Sequence, residues 1–300
     1  MSSQRKLAYF LLLINTIVWG AAAPIVKPAL SFITPEQFLF YRFLLASVLS
    51  FPIVIMLFRR SPLSPSELAK VVLLELVGTT LILWLTYQSL KLTSASEASI
   101  IYSTAPIFVT LSGILFLKER ETKIEWIGLG LALFGTLVVT AEPFIRSPSF
   151  IFSGSKLGNL LMLTQNIVWA GYLVAAKRFY RRRSKLLVTG VSLWIGAVSF
   201  FLLSLSAGNA FSTISSHLAI PSVLFAVVYM AIFGSIIGAT TYLVGQNLIE
   251  ISEASIFTYL QPVVAIPLSV LWLKESLSPI TVVGIVIIAM GVYLSEFKRG

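Results

Sequence analysis

Two residue types are missing altogether from this chain of 300 residues, cysteine and aspartate, and histidine occurs once, at His217. Without cysteine there is no disulfide framework, no thiolate nucleophile and no Cys-ligated metal. Without aspartate, and with a single histidine, a paired-Asp site and a His cluster for a metal are both excluded, and no cofactor is expected. A Walker motif is absent too, so the chain carries no ATP drive of its own. Charge is scarce. Only 11% of residues are charged, against about 25% in soluble domains, which argues against one large soluble core.

What the chain has instead is apolar length. It is 57% hydrophobic, with a mean hydropathy of +0.93. Runs of about twenty apolar residues recur along it, the length a helix needs to cross a bilayer. Ten candidate spans follow, at 7–29, 37–58, 68–90, 95–117, 123–141, 157–178, 186–207, 220–247, 254–273 and 279–296. The first lacks a small-residue cleavage site and reads as a span rather than a signal peptide. The longest connections, 142–156 and 208–219, are too short for a separate domain. The expected fold class is therefore an all-α integral membrane protein.

The net charge of +10 does not point to nucleic acid, because the basic residues sit in short loops between apolar runs. With the N-terminus placed in the cytoplasm, sixteen Lys and Arg fall on the inside and six on the outside. That bias predicts cytoplasmic termini. The Arg181-Arg182-Arg183 cluster reads most simply as part of this topology signal, with an anionic-lipid or phosphate site as the alternative. Membrane lipid is thus an expected partner and nucleic acid is not.

The chain is also duplicated. Ser96-Glu97-Ala98-Ser99-Ile100 recurs as Ser252-Glu253-Ala254-Ser255-Ile256. The same offset relates Pro106 to Pro262, Leu117-Lys118-Glu119 to Leu273-Lys274-Glu275, Gly128 to Gly284 and Gly135 to Gly291. At a slightly different offset Ile17-Val18-Trp19 matches Ile167-Val168-Trp169, and Lys27 matches Lys177. Two five-span repeats, 1–145 and 156–300, are expected. Five is odd, so the second repeat enters the membrane in the opposite sense, and a substrate site is expected near the midplane between the halves.

In this order the motifs resemble the drug/metabolite transporter superfamily, in its EamA-type branch. Each repeat has a first span with Asn or Gln and Trp (Asn15 to Gly20, Gln165 to Ala170), then Glu-Ala-Ser, a proline, Leu-Lys-Glu and a Gly-rich last span. Arg42 fits the first-repeat pattern and has no counterpart in the second. The resemblance covers nearly the whole chain. It implies a transporter of small metabolites, often amino acids or their derivatives and commonly outward, in a prokaryotic plasma (inner) membrane, as a monomer or weak homodimer.

Polar side chains within a span are costly toward lipid and should face the bundle interior or a wet cavity. Helical spacing gathers them into stripes. Asn15 and Trp19 share a face of span 1; Gln165, Asn166, Trp169 and Tyr172 share one of span 6. Span 3 offers Glu75, Thr79 and Thr86, with Tyr87 and Gln88 alongside. Span 4 offers Ser99, Tyr102, Ser103, Pro106 and Thr110; span 8 offers Ser235, Gly238, Tyr242 and Gln246; span 9 offers Ser255, Thr258, Tyr259 and Pro262, with Gln261 adjacent. From these the expected substrate-binding set is Asn15, Trp19, Thr79, Tyr87, Gln88, Tyr102, Ser103, Asn166, Trp169, Tyr172, Tyr242, Gln246, Tyr259 and Gln261. Such a wall, aromatic with uncharged amides and hydroxyls, suits an amphipathic solute of modest size. The competing reading makes the small hydroxyl residues helix-packing positions.

Pro106 and Pro262 are expected to break the helix ladder mid-span, as hinges or as static bends. Glu75, well within span 3, is a candidate proton site or counter-ion; the alternatives are snorkelling to the surface or pairing with a base. Glu97 and Glu253 read as helix-start residues, with Ser94 and Glu97 as a capping box, and Glu119 and Glu275 as residues of connecting turns. Lys27 and Lys177 are gate charges or snorkelling anchors. Arg42 is placed to pair with Glu36 or with a substrate carboxylate. A facilitative channel, or an integral-membrane lipid-modifying enzyme, are the other functions this composition admits.

Overall fold

The computed structural model describes residues 3–60, 62–92, 101–102, 104–120, 122–146, 156–181, 183–206, 214–273 and 279–297. Among them there is no strand. The main helices are α1 (Ser3–Gly20), α2 (Pro35–Arg60), α3 (Pro65–Glu75, Leu76–Leu81 and Ile82–Leu92), α4 (Ala105–Ser112 and Gly113–Leu117) and α5 (Lys123–Arg146). They continue with α6 (Lys156–Tyr180), α7 (Lys185–Ser206), α8 (Pro221–Tyr229, Met230–Gly238 and Ala239–Leu248), α9 (Ile251–Ile256, Phe257–Leu260 and Gln261–Leu273) and α10 (Pro279–Phe297). Six of these, α1, α2, α3, α6, α7 and α8, are long and apolar enough to cross a membrane. Ala105–Leu117 and Val282–Leu294 are shorter apolar helices. The first copy of the repeated Ser-Glu-Ala-Ser-Ile segment (with Glu97 and Ser99), and also Ser94, Ser103, Arg182, Lys274 and Glu275, lie outside the described residues.

Hydrophobicity alone cannot say which face of these helices turns inward, because both are apolar. The small and polar residues decide it. On α1 the buried positions are Ala8, Leu12, Asn15 and Thr16, while Phe10, Leu13 and Ile17 are exposed. That is one stripe at helical spacing. On α2, Gln37 to Phe43 are buried together with Ala46, Ser47 and Ser50, and Val48, Leu49 and Phe51 face outward. Exposed large apolar residues such as Leu115, Leu271 and Met290 are where lipid contact is expected of a chain this apolar.

The helix pairings are reciprocal between the two halves. α5 lies along α10 and α2 along α7; α1 packs on the Ala239–Leu248 part of α8, and the Ile82–Leu92 part of α3 packs on α6. α4 packs on α6, and the Gln261–Leu273 part of α9 on α1. Exchanging the halves turns each pairing into itself or into another of the set. The α5/α10 contact is backbone on backbone. A Cβ at Gly135 would lie 2.9 Å from the Gly284 carbonyl oxygen, and one at Gly291 would lie 2.8 Å from the Gly128 carbonyl oxygen. Two matched glycines on each helix thus set how closely the pair approaches.

The helices differ from the expected spans in two respects. Three of them contain wide, π-type turns, at Leu76–Leu81, Gly113–Leu117 and Met230–Gly238. The first and last lie in α3 and α8, which correspond in the two repeats. The prolines are the second difference. Pro106 occupies the first turn of Ala105–Ser112, after a break at Thr104, and Pro262 is the second residue of Gln261–Leu273, after a tight 3-10 turn. Neither sits mid-helix in an unbroken ladder as the sequence suggested. At a helix start the missing N–H has no partner to lose. The prolines within helix interiors are Pro52 and Pro267 instead, and the helices continue past both.

Candidate functional site

At the junction of α1, α6 and α8 four aromatic rings form one group. Trp19 stacks on Tyr242 at 5.4 Å between centroids, Trp169 lies 5.8 Å from Tyr242, and Trp169 stacks on Tyr172 at 5.6 Å. The wide turn of α8 holds the first of them. Its departure from the α-helical ladder leaves carbonyls free to accept elsewhere. Trp19 Nε1 donates to the Gly234 carbonyl at 3.1 Å, and Asn15 Nδ2 donates to the Gly238 carbonyl at 2.9 Å. A Cβ at Gly238 would lie 2.6 Å from Trp19 Nε1, so only glycine admits the indole. Asn15 and Trp19 are therefore used by the α1–α8 contact, and the ring face of Trp19 is what it presents to the group.

Around these rings lie buried polar atoms with no partner in the protein: the Tyr242 hydroxyl, both amide atoms of Gln246, Gln165 Oε1, Asn166 Oδ1 and Ser235 Oγ. Gln261 Nε2 on α9 is another. Buried polar groups are normally satisfied, because desolvating one without a partner costs about 1–3 kcal/mol. This concentration of uncharged donors and acceptors is hydrogen-bonding capacity available to a solute or to water. Asn166 also ties α6 to the broken start of α4, donating to the Ile101 carbonyl at 2.6 Å and to Thr104 Oγ1 at 3.1 Å. Tyr102, beside that break, is 40% exposed.

Glu75 is 2% exposed and neither snorkels nor pairs with a base. Three hydroxyls hold it. Tyr172 and Tyr180 donate to Oε1 at 2.9 and 2.8 Å, and Thr79 donates to Oε2 at 2.9 Å. Thr79 Oγ1 is in turn 2.6 Å from Ser192 Oγ on α7. Three donors suit a carboxylate, which only accepts. The wide turn of α3 begins right after Glu75, and its Gly78 makes room for Tyr172: a Cβ there would meet the ring at 2.1 Å. Tyr172 thus belongs to both assemblies, with its hydroxyl on Glu75 and its ring on Trp169. Tyr180 and Ser192 were not singled out from the sequence. Tyr180 is eight residues past Tyr172, two helical turns, and extending the α6 stripe would have reached it.

A third assembly closes one end of the bundle. The wide turn of α4 ends at Lys118 in a left-handed conformation (φ 60°, ψ 33°). Such a conformation is disfavoured for a residue with a Cβ and is kept where the surroundings over-determine it. It delivers Glu119 to the N-terminus of α9. Glu119 accepts from the Ile251 and Ser252 amides at 2.9 and 3.2 Å, from Ser252 Oγ at 2.9 Å and from Lys177 Nζ at 3.1 Å. Lys177 also donates to the Ile249 carbonyl. Glu253, read as a helix-start residue, lies in the first turn of α9 and accepts from Arg5 Nε and Tyr9 OH at 2.7 and 2.6 Å. The cap of α9 comes from the other half of the chain.

The remaining expected residues are dispersed. Gln88 donates to Glu36 Oε1 at 2.8 Å. Tyr87 packs near the α2 core cluster, as an electrostatic neighbour of Arg42. Tyr259 is buried among Leu129, Ala132, Ile256 and Ile288, toward the α5/α10 pair and away from the four rings. His217, given no role from the sequence, contacts the Tyr41 hydroxyl at 3.0 Å.

The described residues form a bundle of apolar helices with a polar, aromatic interior, and no metal-binding cluster is found among them. The EamA-like transporter family model matches residues 6–141 and again 156–297, so the chain belongs to that family and is not an enzyme. It is 29% identical to the uncharacterized transporter YyaM of Bacillus subtilis (strain 168), covering 95% of this chain and 92% of that one. It is 25% identical to an uncharacterized transporter of Archaeoglobus fulgidus (97% and 98% covered) and 26% identical to the uncharacterized inner membrane transporter YedA of Escherichia coli K12 (94% and 90%). A solved crystal structure superposes with a TM-score of 0.80 at 19% identity, covering 97% of this chain and 96% of that one, a likeness of fold. The protein is an integral membrane transporter.

Proposed function

We propose that the chain is a secondary transporter that exports an amino acid or related amphipathic metabolite across a prokaryotic plasma membrane, with both termini cytoplasmic. In this reading repeats 1–145 and 156–300 are of inverted topology and rock about a central site, which opens to alternate sides. The observation that carries it is the aromatic group: Trp19 from one half stacks on Tyr242 from the other, and Tyr242 joins it to Trp169 and, through that ring, to Tyr172. Around the rings are the partnerless amide and hydroxyl groups of Gln246, Tyr242 and Gln165. Rings from both halves at one point suit a solute whose contacts change as the halves move.

Glu75 is assigned as the proton site. A carboxylate accepts from Tyr172, Tyr180 and Thr79; a protonated carboxyl carries its own O–H, which can donate to Thr79 Oγ1 once that hydroxyl turns its proton toward Ser192 Oγ. Tyr172 links that change to the ring that stacks on Trp169. Protonation and solute binding then share a residue.

The direct test is counterflow of labelled amino acids in liposomes reconstituted with the purified protein. Saturable exchange is the expected result, and flux without counterflow would mean a channel. Trp19→Ala and Trp169→Ala should each weaken solute binding about tenfold, the scale of one lost aromatic contact. If neither alters binding, the solute lies elsewhere.

A further inference from the structure

Among the described residues five charged side chains are buried: Arg42, Glu75, Glu119, Glu125 and Glu253. Each of the four acids is satisfied. Glu75 has its three hydroxyls, Glu119 its two amides, Ser252 and Lys177, Glu125 the Thr122 amide, and Glu253 has Arg5 and Tyr9. Arg42 is the exception. It is 7% exposed, in the stretch of α2 where every residue from Gln37 to Phe43 is buried, and among the described residues it has no hydrogen-bond or ion-pair partner. Its Nε is buried without an acceptor. The guanidinium lies 4.7 Å from the centroid of the Phe43 ring, and Tyr87 is its electrostatic neighbour. Glu36, six residues earlier on the same helix and so on a different face, accepts from Gln88 Nε2 at 2.8 Å.

A guanidinium out of water without an anion is costly, and inside a membrane protein an uncompensated charge marks the path of what is moved. Arginine presents a planar fork of donors that matches a carboxylate in two parallel bonds. With a single guanidinium and no second cation paired to the same place among the described residues, the complement is a group of one negative charge. A phosphate monoester, carrying close to two, draws on clusters of cations instead. Its place also fits. α2 packs against the wide turn of α8, the turn whose Gly234 and Gly238 carbonyls hold Trp19 and Asn15.

We propose that Arg42 is the anion-binding residue of the transport path and that the solute carried presents a carboxylate to it. This rests on the transporter reading and narrows its substrate class: an acid or zwitterion with an apolar body, rather than an amine, a sugar or a nucleoside.

The test uses the full chain in nanodiscs and a thermal-shift and binding screen of the proteinogenic amino acids, each beside its primary amide and its decarboxylated amine. The wild type should bind one or more of the acids and prefer each over its amide by about thirtyfold or more, the cost of leaving a buried charge unpaired. Arg42→Gln should bring that ratio close to one. Arg42→Lys, which keeps the charge and loses the fork, should weaken acid binding while retaining some preference, and it serves if the glutamine variant elutes as aggregate. Wild-type protein that binds amide or amine as well as acid overturns the inference, as does an Arg42→Gln variant with an unchanged ratio. Counterflow in liposomes separates the two claims. Exchange of a solute lacking a carboxylate, unaffected by Arg42→Gln, removes the carboxylate site and leaves the transporter. Arg42-dependent acid binding without exchange removes the export reading and leaves the site.

Discussion

Glu119→Ala is expected to destabilise the protein by about 3–5 kcal/mol, the cost of breaking a buried ion pair by removing one partner. The side chain does three things at once. It neutralises Lys177, caps the amides of Ile251 and Ser252, and accepts from Ser252 Oγ. Alanine leaves the ammonium with only the Ile249 carbonyl and leaves two amides without an acceptor at a buried helix start. Thermal unfolding in detergent should show the drop. The double variant Glu119→Ala/Lys177→Ala should be less impaired than the sum of its singles, because the stranded charge goes too. Additive losses would mean that the cap matters and the ion pair does not. Glu119→Gln keeps an acceptor and should fall between wild type and alanine.

Glu75→Gln should abolish the dependence of uptake on a pH gradient while leaving solute counterflow intact. The substitution is mild in structure. A glutamine oxygen can still accept from Tyr172 and Tyr180, and its amide can donate to Thr79 Oγ1, a hydroxyl able to accept. What disappears is the titratable group. The measurement is uptake into liposomes under an imposed pH gradient, beside counterflow at equal pH, for wild type and variant. Gradient-driven uptake that survives in the variant removes Glu75 as the proton site. Glu75→Ala is the harsher variant. It strands the hydroxyls of Tyr172 and Tyr180, while Thr79 keeps Ser192; each stranded hydroxyl costs about 1–3 kcal/mol, and thermal stability should fall where glutamine leaves it unchanged.

The interior stripes were legible in the sequence because a lipid-facing helix side tolerates nothing polar. Asn15 and Trp19 had to turn inward, and they do, with Phe10 and Ile17 outward. The same reasoning brought Trp169, Tyr172 and Tyr242 to one place. It failed where a partner lies far along the chain. Glu119 does lie in the connection between α4 and α5, as read, but nothing local announces that it caps a helix 132 residues away. Gln88 was read as a cavity residue because spacing cannot foresee its bond to Glu36. The prolines misled for a different reason. A proline inside an apolar run signals a kink if the helix continues, but at Pro106 the chain has already broken at Thr104, and apolar composition carries no trace of that break. The wide turns were also invisible, since a π-type turn differs from an α turn in hydrogen-bond register and not in residue type.

Those wide turns have a consequence for how α3 and α8 can change shape. Each holds surplus residues relative to the α-helical repeat, as a slack loop does in a rope. Slack of this kind can be passed along a helix one residue at a time, each step exchanging one backbone bond for its neighbour, with no point at which the ladder is cut. As it passes, the two ends of the helix rotate against each other and side chains on the travelled stretch turn to a new face. In α8 that stretch carries the carbonyls that grip Trp19 and Asn15; in α3 it follows directly on Glu75. Helices built this way can regrip their partners without unfolding.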